Sequence, residues 1–455
     1  MKKIELSDHF TCTKLLRYSL PAIGEMIAIS SFEFVDGLFL TNYLGVTAFV
    51  AIDLIIPPFM ILFALGYMFG AGANALVSQY QGKGDTQTAR EIFSLSTAAM
   101  TIVGILVALI GIWQMPDLSM MVGAEGEKAV ISNTYGMILM AGLPAFIINA
   151  AFQSLWITAE KAVFGLVLSI LSGVLNIAFD WLFMGPLHLG TAGAASATVL
   201  SAVIPAVITL IYFFLPNPSS LRFVRFRLNR FKELGGICFN GASEMISELA
   251  VNLTVLIAYK QVLRTIGDAG VAAMGAYNTI IEVFIGVFYG VSMTVVTISG
   301  YKYGKKTDDE LTSLVRTNNI LMTVCGSLMF LAFVVFSRPL ALAFFNDDPA
   351  VCDLTVHVLR IMAFSCFFYG FEFVTGSTFT GMGDGLSSMI IAAFGSFIAP
   401  VAMIFVMPSL FGPEGMYWAM PASSFLTAML CVIFLKKRYP VLLKNDDRED
   451  ALDQE

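Results

Sequence analysis

Twelve apolar stretches, each near the length that crosses a bilayer, leave this chain little freedom of fold class. They run approximately over residues 15–40, 48–78, 91–114, 130–157, 163–186, 191–215, 234–262, 271–300, 314–337, 355–380, 387–410 and 415–437. A helical span needs about 20 apolar residues, and in hydrocarbon only helices or closed barrels satisfy their own backbone groups. Charged residues are 13% of the 455 and hydrophobic ones 57%, whereas soluble domains carry roughly a quarter charged. The expectation is an all-α polytopic membrane protein with twelve transmembrane helices, no secretory leader at the N-terminus and no large soluble domain.

Charge orients the spans. Of the 26 Lys and Arg residues, 21 fall in segments on the side of the two termini and five on the other (Lys128, Lys260, Arg264, Arg338, Arg360). That asymmetry predicts cytoplasmic termini. The net charge of −7 comes with no basic face, so no nucleic-acid partner is expected. Six scattered cysteines form no C-x-x-C or metal spacing and read as small buried side chains.

The chain repeats itself weakly. Shifted by 222 residues, Leu44–Ala51 falls on Ile266–Ala273 and Ser78–Lys83 on Gly300–Lys305; one residue further, Pro116 falls on Pro339. An even number of spans separates the copies, so they share one topology. This predicts two six-helix lobes related by a parallel repeat, with a cavity between or within them. The expected division is an N-terminal lobe 1–215, a cytoplasmic linker 216–233, a C-terminal lobe 234–440 and a polar tail 441–455. In the linker, Arg alternates with Phe and Leu, which suits an interfacial amphipathic segment.

Carboxylates at membrane depth are costly and are functional candidates by default. The first span holds Glu25, Glu33 and Asp36. At about 100° per residue, Glu25 and Asp36 lie roughly 20° apart, with Phe32 and Glu33 on the same wide face. Pro21, near the start of that span, can cap the first turn or permit a helix bend. In the fifth span Asn176 and Asp180 are one turn apart, so the amide can reach the carboxylate. With Thr198 of the sixth span and Tyr135 of the fourth, they form a candidate site for one or two protons or a bare cation, including Na+ at Asp36, Asn176 and Asp180. The alternative is a neutral, hydrogen-bonded aspartic acid that pins helices together.

The second half has its own acids, Glu244 and Glu248 in the seventh span, Glu282 in the eighth and Glu372 in the tenth. Glu244 and Glu248 share a face and would titrate jointly. Alternatively, some of them face a water-filled cavity and tune its potential. Asp53 is expected at the external mouth of the second span. His9, His188 and His357 all lie away from membrane depth, which argues against a histidine relay. The stretch Tyr303-Gly304-Lys305-Lys306-Thr307 imitates the end of a P-loop, but Ser299 stands where the first glycine is required and no soluble strand precedes it. No ATP is expected, so transport energy must come from an ion gradient or a separate subunit. The 39 Phe, 24 Met and 14 Tyr mostly pack against lipid or core; some of them can line a pocket for varied apolar cations.

The set Pro21 through Asp36-Gly37, Tyr43-Leu44-Gly45, GAGANALVSQYQGKGD over 70–85, Leu175–Asp180 and Gly190–Ala195 resembles the multidrug and toxic compound extrusion (MATE) family along essentially the whole chain. The resemblance implies that Asp36, Asn176 and Asp180, with Tyr135 and Thr198, form the cation-coupling site of the N-terminal lobe. Phe32 stands where some members carry a tyrosine, and Glu33 is the candidate replacement for its hydrogen bond. In a sodium-linked branch the coupling acids lie in the other lobe, where Glu244 or Glu248 with Glu372 correspond loosely. It further implies secondary active efflux, by H+ or Na+ antiport and alternating access, of cationic amphiphilic small molecules. The expected setting is a multi-pass protein of the cytoplasmic (inner) membrane of a prokaryote, a monomer with no cofactor and no enzymatic role. The alternatives are a flippase for lipid-linked saccharides, for which extra helices and a basic cavity are missing, and a membrane-embedded enzyme or sensor. For those last two, no nucleophile–base constellation and no soluble output domain is found.

Overall fold

The computed structural model describes residues 4–121, 124–345 and 348–444, so most of the expected tail lies outside the described residues, as do several side chains between Glu33 and Asp53. The described residues are overwhelmingly helical and contain no strand. They form two compact units. One is Leu20–Gly241; the other combines the residues up to Ser19 with those from Ala242 onward.

The first unit is built from α1 (Cys12–Gly82), α2 (Thr86–Met121), α3 (Glu127–Thr158), α4 (Ala162–Met184) and α5 (Gly190–Phe214). Helix α1 has 71 residues, about three bilayer thicknesses at 1.5 Å per residue, so it is not one straight span. Its neighbours show the path. Gly24 and Phe32 meet Leu166 and Gly173, advancing with α4. Later, the Ala51 carbonyl accepts from Ser132, and Gly66 and Gly70 press on Ile147 and Ala151, advancing with α3. Helix α5 runs with α3, through Gly142 on Val199 and Trp156 on Tyr212, and against α4, through Ser172 on Ser201 and Phe164 on Tyr212. Thus α3 and α4 are antiparallel, and α1 doubles back between Phe32 and Ala51 to supply the first two spans.

The second unit contains most of α6 (Lys232–Thr265), then α7 (Asp268–Gly304), α8 (Asp308–Phe344), α9 (Pro349–Met362), α10 (Cys366–Gly381), α11 (Gly385–Ala393), α12 (Ala399–Phe411), α13 (Gly415–Lys437) and α14 (Tyr439–Lys444). A π-helical turn, Phe394–Ile398, joins α11 to α12. Ten helical segments among the described residues are long and apolar enough to cross a bilayer. The last, Gly385–Lys444, breaks at Gly412, whose φ of 67° is the left-handed region that favours glycine. With that break and the two passes of α1, the chain makes the twelve passes expected, six in each half. The internal repeat is visible in the packing: Gly70 lies on Ala151, and 222 residues later the Ser292 hydroxyl donates to the Phe373 carbonyl at 3.4 Å.

Two connecting segments are held by side chains rather than left loose. The stretch after α5 straps the start of α2. Phe223 stacks on Phe93 at 5.3 Å, Arg90 donates to the Ser220 carbonyl at 2.9 Å, and Arg230 pairs with the buried Glu91 at 3.3 Å. Arg222, Arg225 and Arg227 stay exposed. Leu221 and Phe223 of this amphipathic stretch therefore pack on protein, while Phe231 stays exposed. Preceding α2, Asp85 accepts from the Thr88 N–H at 3.0 Å, and its hydrogen bonds with Thr88 hold its carboxyl below the usual carboxylate range.

The N-terminal segment belongs to the C-terminal unit. Leu6, Phe10 and Leu15 are buried there. Lys302 donates to the Asp8 carbonyl at 2.9 Å and pairs with Glu310 at 3.2 Å; His9 meets the same carboxylate at 2.9 Å.

Candidate functional site

In the first unit the sequence-predicted residues converge. Asp36 on α1 faces Asp180 and Asn176 on α4. Tyr135 on α3 lies beside Thr198 on α5 and within the electrostatic reach of both aspartates. Asp180 is 0% exposed and Asn176 9%. The reason they meet is register. Asp36 and Asp180 are carried on parallel helices whose pairing is fixed by Phe32 against Gly173, where a Cβ would overlap the ring.

The cluster is not satisfied by its own members. Both Asp180 carboxylate oxygens, Asp36 Oδ1 and Asn176 Nδ2 find no hydrogen-bond partner among the described residues. Each such buried polar atom costs about 1–3 kcal/mol, more when charged. Two neighbouring buried carboxylates cannot both remain bare anions. A shared proton or a hard cation bound by oxygen donors relieves both penalties, and the donor set suits either. Glu33 is carried by α1, but its side chain lies outside the described residues, as does that of Asp53. Pro21 lies inside α1, just past the point where the chain passes from one unit to the other.

The second unit holds a separate cavity of about 60 Å³. That is room for a few waters or one partly hydrated ion. Glu244 and Glu372 line it with Tyr289 and a ring of hydroxyls that includes Ser243, Ser292, Ser377 and Ser396. Ser396 donates to Glu372 Oε1 at 3.5 Å, and Tyr289 donates to Glu248 at 3.3 Å, beside the cavity. Glu282 is exposed on α7 and does not line the cavity, but it lies within electrostatic reach of Glu248. Among the described residues no group of three or more His, Cys, Asp and Glu side chains converges as a metal site.

Sequence reasoning missed the hydroxyl lining. Its serines come one or two at a time from several helices, and no local pattern marks them. It also missed the π turn, which brings Ser396 and Gly395 against Glu372; such turns often mark functional positions. A Cβ on Gly395 would overlap the Glu372 carboxylate. Gly395→Ala is therefore expected to unseat Glu372 at a stability cost of about 1–3 kcal/mol. A thermal-unfolding midpoint and ion-dependent transport that both match wild type would refute this.

Comparison with known proteins agrees with this architecture. The profile of the MatE family matches the chain twice, over residues 21–182 and 243–406; the two matches start 222 residues apart, the offset of the internal repeat. The multidrug export protein MepA of Staphylococcus saprophyticus is 23% identical over 445 residues, covering 94% of each chain. Its Staphylococcus aureus counterpart is 24% identical over 441 residues, again covering 94% of each. Among solved structures, an outward-facing multidrug resistance transporter of the MATE family superposes with a TM-score of 0.90 at 20% identity, over 98% of this chain and 99% of that one. A MOP superfamily transporter from Pyrococcus furiosus gives 0.88 at 20%, over 98% and 99%. With both halves matched by one family profile and twelve spans arranged in two units, the chain belongs to the MatE family of multidrug and toxic compound extrusion transporters.

Proposed function

We propose that this protein exports cationic amphiphilic compounds across the cytoplasmic membrane, with both termini inside, by antiport against H+ or Na+ through alternating access. The lobe division expected from the sequence, 1–215 and 234–440 joined by 216–233, is the frame for that motion. The supporting observation is the buried Asp36–Asn176–Asp180 cluster with its unpartnered oxygens. When the ion binds there, the negative charge that attracts a cationic substrate is cancelled. That gives the differential affinity without which no coupled transition occurs. Tyr135 and Thr198 complete the site. Glu244, Glu248 and Glu372, around the cavity of the other unit, with Glu282 in electrostatic reach of Glu248, are the rival coupling site. The Staphylococcus relatives are named multidrug export proteins, which supports small-molecule export as such.

The test is ethidium accumulation in inverted membrane vesicles under an imposed pH gradient, an imposed Na+ gradient, or neither. Accumulation driven by one gradient and abolished by its ionophore is expected. Accumulation indifferent to both gradients would refute antiport.

A further inference from the structure

The coupling reading leaves one buried carboxylate of the first unit without a role. Glu25 is 3% exposed. It precedes Asp36 on α1 by eleven residues (25 to 36), about 16 Å along the axis. Ser169 precedes Asp180 on α4 by the same interval (169 to 180), and its hydroxyl donates to Glu25 Oε1 at 2.7 Å. Among the described residues this hydrogen bond is the one polar or charged contact that Glu25 has. A contact that merely tied α1 to α4 could use two hydroxyls at lower desolvation cost.

The two carboxylate levels are connected along one helix face. Ser169, Ser172, Asn176 and Asp180 follow at i, i+3, i+7 and i+11, a single stripe of α4. Ser172 is already turned into the unit, donating to the Ser201 carbonyl at 2.8 Å. Between the levels the stripe is interrupted once, by the Phe32 ring seated on Gly173. Phe32 lies seven residues after Glu25 and four before Asp36.

We propose that Glu25 with Ser169 is a second proton-binding station of this unit, which receives the proton leaving Asp36–Asp180 on its way to the cytoplasm, with the Phe32 ring on Gly173 as the dry seal between the two. The proposal rests on the coupling reading above and on cytoplasmic termini. In each cycle the proton leaves the aspartate pair once the ring is displaced, the Glu25 carboxylate accepts it, and Glu25 releases it to the cytoplasm, ending as it began.

The test uses the full-length protein in liposomes, with ethidium as substrate. Export is measured against cytoplasmic-side pH at fixed outer pH. Wild type is expected to follow a titration curve. Glu25→Gln is expected to flatten that curve and slow export by roughly a hundredfold, the low end of what a positioned proton acceptor contributes, with ethidium binding in detergent unchanged. Glu25→Asp should restore the dependence. A wild-type curve in Glu25→Gln overturns the proposal. Should that variant not fold, Ser169→Ala decides: it keeps the carboxyl and removes its donor, so a displaced curve supports the station and an undisplaced one overturns it. Phe32→Ala should raise substrate-free proton leak into the liposomes, and tight liposomes would overturn the seal. Full export by Asp36→Asn would instead overturn the coupling reading beneath it, whereas a flat curve in wild type would overturn its H+ form and the proton station with it.

Discussion

Asp180→Asn is expected to reduce ethidium efflux by about a hundredfold or more in cells that hold the protein at wild-type abundance. The substitution is nearly isosteric at a fully buried position, so packing against α1 is retained. What disappears is the capacity to bind a proton, and the full negative charge that a cation would need. Asp36→Asn should act alike, since its carboxylate faces Asp180 and Asn176. The two changes together should cost little more than either alone, because both remove one shared site. Glu372→Gln is the matched comparison in the other unit. Efflux retained by Asp180→Asn but lost in Glu372→Gln would move the coupling site to the serine-lined cavity.

The largest effect on folding is expected at a crossing of two backbones. A Cβ at Gly72 of α1 would overlap the Ile237 carbonyl oxygen of α6, and one at Gly241 of α6 would overlap the Met68 carbonyl of α1. Both obstacles are backbone, so no rotamer change relieves them. Small residues allow such close approach in membranes, where van der Waals packing replaces the hydrophobic drive between helices. Gly72→Val is expected to cost more than about 4 kcal/mol and to leave no monodisperse protein on size-exclusion chromatography. Gly235→Ala and Gly236→Ala, on the same helix α6 but with open space at the Cβ position, should elute and melt as wild type. A wild-type melting temperature for Gly72→Val would refute the argument.

The twelve spans were legible because hydropathy at the twenty-residue scale is a local property and the bilayer enforces it. The convergence of Asp36 with Asp180 was partly legible for the same reason: helical periodicity places Asn176 beside Asp180, and the charges stand out in apolar sequence. Tyr135 and Thr198 were placed with them as polar side chains of the fourth and sixth spans, and the family resemblance implied the same grouping. The pairing of Glu25 with Ser169 was not legible. Serine is unremarkable in a membrane helix, and the contact depends on the register of α1 against α4, which the ring of Phe32 on Gly173 sets. Of the strap after α5 only the amphipathic pattern was legible, because such a pattern specifies an apolar face without saying what covers it; Phe93 covers Phe223.

The docking of the N-terminal segment bears on synthesis. Asp8 is bonded to Lys302, a separation of 294 residues. At a translation rate of about 5–20 residues per second, the receiving surface does not exist until roughly 15–60 seconds after the segment has left the ribosome. Leu6, Phe10 and Leu15, buried in the finished protein, must wait out that interval against lipid or an insertion factor. The chain's first residues therefore find these native neighbours only once α7 and the start of α8 have been made, long after the segment itself.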